Sequence, residues 1–317
     1  PGGPTGLPAH LPGRRYTPPM RIGVTLPLSD GDTPDGHAPT FVETVAFARH
    51  AEAAGLDSVW IFDHVLFRSP LEPDSGVREG WTTLAALAPL VPRVELGTLV
   101  MCASFRNPAL MAKMAATLDD LSGGRVILGL GSGWHDPEYE AFGWPTDHKV
   151  GRFAEDLEIS ARLLRGERVT FAGTWRQLSD AALVPAPGRR VPILVASKGD
   201  RMLGLTATWA DAWNTAWFGR VDERLRIRLA GVEAACAEAG RDPGSIRRTI
   251  GVRLHEPGTG DPDDATSIDA DATGLADFLD ELAALGFEDA VIWSIAKSAA
   301  SVERIAEARR IHLARSA

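Results

Sequence analysis

The chain has little that would commit it to nucleic acid, membrane or metal. Its 33 Lys and Arg are outnumbered by 42 Asp and Glu, for a net charge of −9 over 317 residues. A nucleic-acid partner needs a basic face, so none is expected. No apolar run approaches the roughly 18 residues that cross a bilayer, so no membrane partner is expected either. Only two cysteines occur, Cys102 and Cys236. They offer neither a disulfide framework nor a metal-ligand spacing, and no metal is expected. A P-loop, a G-x-G-x-x-G after a first strand and a G-x-S-x-G elbow are all missing, which argues against ATP, NAD(P) and serine-hydrolase chemistry of the usual kinds. A composition of 44% hydrophobic and 24% charged residues is that of a globular protein with ample core. The expectation is a cytoplasmic enzyme acting on a small-molecule substrate.

Proline and glycine are concentrated at the start. Ten of the first twenty residues are one or the other, too many for regular packing. Residues 1–20 read as a flexible arm, ahead of one domain over residues 21–317.

From Arg21 onward, apolar runs alternate with amphipathic ones. Strands are predicted at 22–26, 58–63, 94–101, 126–130, 193–196, 212–215, 249–254 and 290–294. Helices are predicted at 40–54, 81–90, 108–121, 152–164, 201–207, 222–239, 275–285 and 302–312. The strands are continuous apolar runs, as befits parallel strands buried on both faces. Eight of each, in alternation, is the count of a (β/α)₈ TIM barrel. Gly55 and Gly286 each end a helix just before a strand and suit the left-handed cap position. Residues 68–80 and 134–150 are long loops leaving the carboxyl-terminal rim, where barrel active sites are built. Residues 167–190 contain a short hairpin, 169–171 with 175–178.

Three places at that rim carry usable chemistry. Asp63-His64 ends the second strand and presents a carboxylate and an imidazole to the mouth. Gly131-Ser132-Gly133-Trp134 follows the fourth strand, where small residues let a ring or a phosphate approach the backbone. Trp134 reads equally well as a pocket wall or as packing beneath the next loop. Ser197-Lys198-Gly199 sits between the fifth strand and a helix, a setting suited to an anion.

These segments, with Arg21-Ile22-Gly23-Val24, Phe62-Asp63-His64, Phe105-Arg106-Asn107-Pro108, Thr117-Leu118-Asp119 and Ala210-Asp211-Ala212-Trp213-Asn214, resemble the luciferase-like monooxygenase family, from about Arg21 to His312. The resemblance implies a TIM-barrel oxidoreductase, dimeric in many members, that holds the deazaflavin coenzyme F420 or, alternatively, FMN. It places a non-prolyl cis peptide at Leu99-Val100 against the ring, with Leu99, Val100 and Met101 in contact with the cofactor. It makes His64 the catalytic residue beside the ring, with Asp63 accompanying it. It assigns Gly131, Ser132 and Gly133 to the cofactor, and Ser197, Lys198 and Gly199 to its phosphate. Members that oxidise glucose 6-phosphate carry a glutamate at the position of Trp134 and an aromatic at that of Arg68. Both residues here are assigned to a substrate pocket of different character. The resemblance favours an F420 branch that transfers hydride, with FMN-dependent oxygenation as the alternative. A non-catalytic ligand-binding barrel and a hydrolase are the readings outside it.

Overall fold

The continuous apolar runs become the staves of a closed barrel in a computed structural model, which describes residues 19–33, 35–69 and 72–316. The strands are β1 (Arg21–Thr25), β2 (Ser58–Ile61), β3 (Glu95–Thr98), β4 (Val126–Gly131), β5 (Ile193–Ala196), β6 (Ala212–Phe218), β7 (Arg247–His255) and β8 (Asp289–Ser294). Each pairs in parallel with the next, and β8 returns to β1 through Ile22 opposite Ala290. The helices are α1 (Phe41–Ala53), α2 (Gly80–Leu87), α3 (Pro108–Ser122), α4 (Asp136–Phe142), α5 (Lys149–Leu164), α6 (Asp200–Trp209), α7 (Glu223–Glu238), α8 (Ala272–Ala284) and α9 (Ala299–Ser316). Apart from α4, one helix follows each strand, the last closing the chain after β8, which makes the protein a (β/α)₈ TIM barrel. Residues 1–18 of the expected arm lie outside the described residues, and Met20 is already buried.

Strand alternation sorts the core into two layers. Outward residues such as Ile22, Val24, Val59, Ile61, Leu128, Val195, Val252 and Ile292 pack against the helices. Inward residues Trp60, Ile127, Leu194, Ala212 and Val291 fill the barrel, with Leu99 and Val100 packed over them. Trp60 fits because its neighbours are glycines: a Cβ on Gly97 would stand 2.1 Å from the indole. The amino-terminal end is closed by charge. Arg21 reaches Glu95 at 3.1 Å and Asp289 at 3.2 Å, and Arg247 spans the same two carboxylates. Polar groups are thus kept at the stable end, leaving the opposite mouth for chemistry.

Gly55 and Gly286 take the left-handed conformation expected of them, with φ of 89° and 82°. The rim loops hold more order than the sequence indicated. Residues Phe67–Ser69 and Glu72–Ser75 form a hairpin, and α4 occupies the start of the 134–150 segment. The hairpin expected in 167–190 is present as Val169–Ala172 with Gln177–Ala181. The third strand differs from the uninterrupted run expected at 94–101. It stops at Thr98, the Leu99–Val100 peptide is cis, and Met101–Cys102 then pairs with β4. A second non-prolyl cis peptide, Ala216–Trp217, lies within β6 and was not anticipated.

Candidate active site

The strand ends place His64, Trp134, Ser197, Trp217, Arg253 and Trp293 around the carboxyl-terminal mouth. His64 follows β2, and its ring is only 17% exposed. Its Nδ1 lies 3.0 Å from Oε1 of Glu138, while the other Glu138 oxygen accepts the Val65 N–H at 3.1 Å. Glu138 is 2% exposed and comes from α4, the helix the sequence did not reveal. A carboxylate only accepts, so Nδ1 carries the proton, and in the neutral imidazole Nε2 holds the lone pair. Among the described residues nothing hydrogen-bonds Nε2. The ring is wedged between Phe67 at 4.4 Å and Trp134 at 5.3 Å, edge-on to the latter. Trp134 itself is 70% exposed, which suits a wall open to incoming substrate.

Asp63 is tied into the protein's own frame. Its carboxylate receives Arg106 through both oxygens, at 2.6 and 3.0 Å, and the Cys102 N–H at 2.9 Å. The second arm of Arg106 also donates to Glu79, the N-cap of α2, at 2.5 Å. Asp63 therefore ties the residues after the cis peptide to the end of β2. Burial pushes its carboxyl up to about 6, in spite of Arg106. Met101 is placed differently from its two neighbours. After the cis peptide its side chain turns into the outer core, fully buried, while Leu99 and Val100 stay half-buried over the barrel interior.

The glycines after β4 serve the protein's own packing as much as any ligand. A Cβ on Gly131 would sit 2.7 Å from Val100, and one on Gly133 only 1.8 Å from the Tyr139 hydroxyl. Gly133 also holds φ at 76°, so no other residue fits there without strain. Gly129, which the sequence reading passed over, would meet the Thr98 carbonyl at 1.8 Å. Tyr139 lies 2.8 Å from the Cys102 sulfur and donates to the Ser132 carbonyl at 3.0 Å, locking the loop to the bulge. Burial raises the Cys102 thiol to about 12, so it is inert. Arg68 leaves the mouth: its guanidinium is bidentate on Asp74 at 2.9 and 2.6 Å, on the exposed hairpin.

On the far side, Ser197 is buried and its hydroxyl meets Thr206 at 2.9 Å. Lys198 is exposed. Gly199 caps α6 without a side-chain hydrogen bond, and a Cβ built on it meets nothing within 4 Å. The first amides of α6 therefore face open space, which fits a phosphate. Within the mouth, Thr25 Oγ1 at the end of β1 is buried without a partner. Ile22 and Val24 face outward, so Thr25 faces the interior, in register with Trp60. A planar group with polar edges, carrying a phosphate-bearing tail, fits this arrangement. No cluster suited to a metal ion occurs among the described residues.

Glu138, Tyr139 and Arg106 stood inside segments already singled out, without a role. Their signal was the polar pair five and six places after the last glycine of the turn, and the cation shortly after the bulge. Trp217 and Trp293 gave none.

The sequence profile of the luciferase-like monooxygenases matches residues 20–307. The chain belongs to that family. Among luciferase-like relatives, it is 35% identical over 212 residues to an F420-dependent glucose-6-phosphate dehydrogenase of Kineococcus radiotolerans, covering 66% of this chain and 62% of that protein. It is 30% identical over 241 residues to the pyrimidine monooxygenase RutA of Stutzerimonas stutzeri, covering 70% and 65%. The matched segments thus span a little under two thirds of these relatives. The structure of an F420-dependent secondary alcohol dehydrogenase in complex with an F420-acetone adduct superposes with a TM-score of 0.78 at 19% identity, over 92% of this chain and 98% of the other. That likeness speaks for the luciferase-like fold alone.

Proposed function

We propose that the protein is an oxidoreductase that transfers hydride between coenzyme F420 and a small organic substrate. The observation that carries this reading is the buried Glu138 holding the His64 imidazole, with Nε2 unpartnered at the barrel mouth. The F420-dependent relatives support the choice of cofactor. FMN-dependent oxygenation, supported by the pyrimidine monooxygenase relative, is the second reading.

When bound, F420 supplies the hydride chemistry, and the protein supplies orientation and proton handling. Leu99 and Val100 would back the ring, Thr25 would meet a polar edge, and Ser197, Lys198 and the first amides of α6 would hold the phosphate. His64 Nε2 accepts a proton from, or through its conjugate acid returns one to, the substrate atom beside the carbon that changes oxidation state. Glu138 keeps the ring in the tautomer and tilt that this requires. Phe67 and Trp134 exclude water from one side of the imidazole. The homodimer implied by family resemblance belongs to the same proposal.

Glu138→Gln tests the pair. The amide can donate as well as accept, so the fixed tautomer is lost while side-chain volume is kept. The rate constant for hydride transfer is expected to fall about tenfold to a hundredfold. F420 affinity should not change. Single-turnover kinetics at saturating cofactor make the comparison, and an unaltered rate would remove Glu138 from the mechanism.

A further inference from the structure

Across the mouth from His64 stands a cation that the protein leaves unused. Ile250, Val252 and Leu254 of β7 are buried in the outer core, so Thr249, Gly251 and Arg253 face inward. Gly251 confirms it, since a Cβ there would meet the Trp217 ring at 2.8 Å. The Arg253 guanidinium lies 5.9 Å from the centre of that ring. It makes no hydrogen bond and no ion pair among the described residues.

Apart from Lys198 and Arg201 at the start of α6, the other cations near the rim are engaged. Lys297 is fully buried against Asp32, Arg106 is held by Asp63 and Glu79, and Arg304 by Glu256. Asp264, whose charge Arg253 feels, and Asp269, beside His255 on the neighbouring strand, already have donors of their own. Asp264 accepts from the Thr266 N–H and hydroxyl at 2.8 and 2.6 Å and from the Ser267 hydroxyl at 2.6 Å. Asp269 accepts the Gly258 and Gly260 amides, both at 2.8 Å. An arginine is planar, permanently charged and built for two parallel hydrogen bonds to a carboxylate or phosphate. Left without such a partner inside a concave mouth, it is a receptor.

An aromatic wall joins this cation to the imidazole. Trp217 meets Trp293 edge-on at 5.4 Å, Trp293 stacks on Phe62 at 5.3 Å, and Phe62 lies 6.0 Å from His64. Arg253 and Trp293 are register partners on adjacent strands, so they share one face. We propose that the substrate is an organic anion: its carboxylate or phosphate is received by Arg253, and its apolar body lies along Trp217 and Trp293 with the reacting carbon toward His64. This assignment rests on the hydride-transfer reading for the role of His64, but the anion site stands on its own geometry.

Calorimetric titrations of the F420-loaded protein with benzoate, phenyl phosphate and neutral benzyl alcohol test it. At least one anion should bind about tenfold tighter than the alcohol, or more, as expected for a partly desolvated arginine contact. Arg253→Met should erase that advantage and Arg253→Lys should retain part of it, with F420 affinity unchanged in both. No preference for either anion in the wild type overturns the proposal, as does a preference that survives in Arg253→Met. Loss of F420 affinity in Arg253→Met would also overturn it by placing the arginine on the cofactor. If F420 does not bind at all, the same titrations of the apoprotein still decide the anion site, so the two readings fail separately.

Discussion

Replacing His64 with alanine is expected to slow hydride transfer at least tenfold, and toward the 10²–10⁴ range usual for a lost proton-transfer group. The fold should be unaffected, because the imidazole sits at the rim with its barrel neighbours packed independently beneath it. Trp60, Leu194 and Val291 fill the interior without its help. Affinity for F420 should also be nearly unchanged, since the amides of α6 and the half-buried Leu99 and Val100 supply the contacts proposed for it. One side effect belongs to the same change. Glu138 would lose its imidazole partner but keep the Val65 N–H at 3.1 Å, so α4 should remain docked. Rapid mixing of reduced or oxidised F420 enzyme with substrate gives the transfer rate directly. A rate equal to that of the wild type would exclude His64 from proton transfer.

Arg106→Leu is expected to give the largest loss of stability. Arg106 is 14% exposed and Asp63 only 1%, and the two share a bidentate contact. Removing the cation strands a buried carboxylate and also frees Glu79 at the start of α2. Breaking a buried pair in this way costs about 3–5 kcal/mol. The pH dependence should reveal the cause. The folded Asp63 carboxyl, at about 6, already lies above its ordinary value of 3.8 because burial disfavours the charge. The folded state therefore binds the extra proton, and this contribution to stability falls as pH rises from about 4 through about 6. Without Arg106 the carboxyl rises further, so the variant should lose stability over a wider pH range and recover part of it in acid. Denaturant titrations between pH 4 and 8 measure the difference. A variant within about 1 kcal/mol of the wild type at pH 8 would show that the pair holds nothing together.

The barrel was readable in the sequence because its strands are short continuous apolar runs separated by helical patterns, with Gly55 and Gly286 marking two returns. The rim was less readable for physical reasons. Helix α4 spans seven residues, too few to build a periodic pattern, so Glu138 carried no sign that it would reach His64. Asp63 and His64 are neighbours in the chain, yet one turns to Arg106 and the other to Glu138, a choice that only the bulge after Thr98 makes. Met101 belongs with Leu99 and Val100 in sequence but leaves them after the cis peptide. Arg68 was assigned through the family resemblance, and the hairpin it occupies turns its side chain to Asp74. The glycines near Gly131 were singled out for the approach of a ligand, and only the structure shows that Val100 and Tyr139 also need their room.

The central claim is that this mouth holds a deazaflavin for hydride transfer. Titration of the purified apoprotein with oxidised F420 and, separately, with FMN, followed by cofactor fluorescence, tests it most directly. Saturable binding of F420 with little or no binding of FMN is the predicted result. Preference for FMN would contradict the account and point to oxygen insertion, and binding of neither would leave the barrel without the cofactor its mouth is proposed to hold.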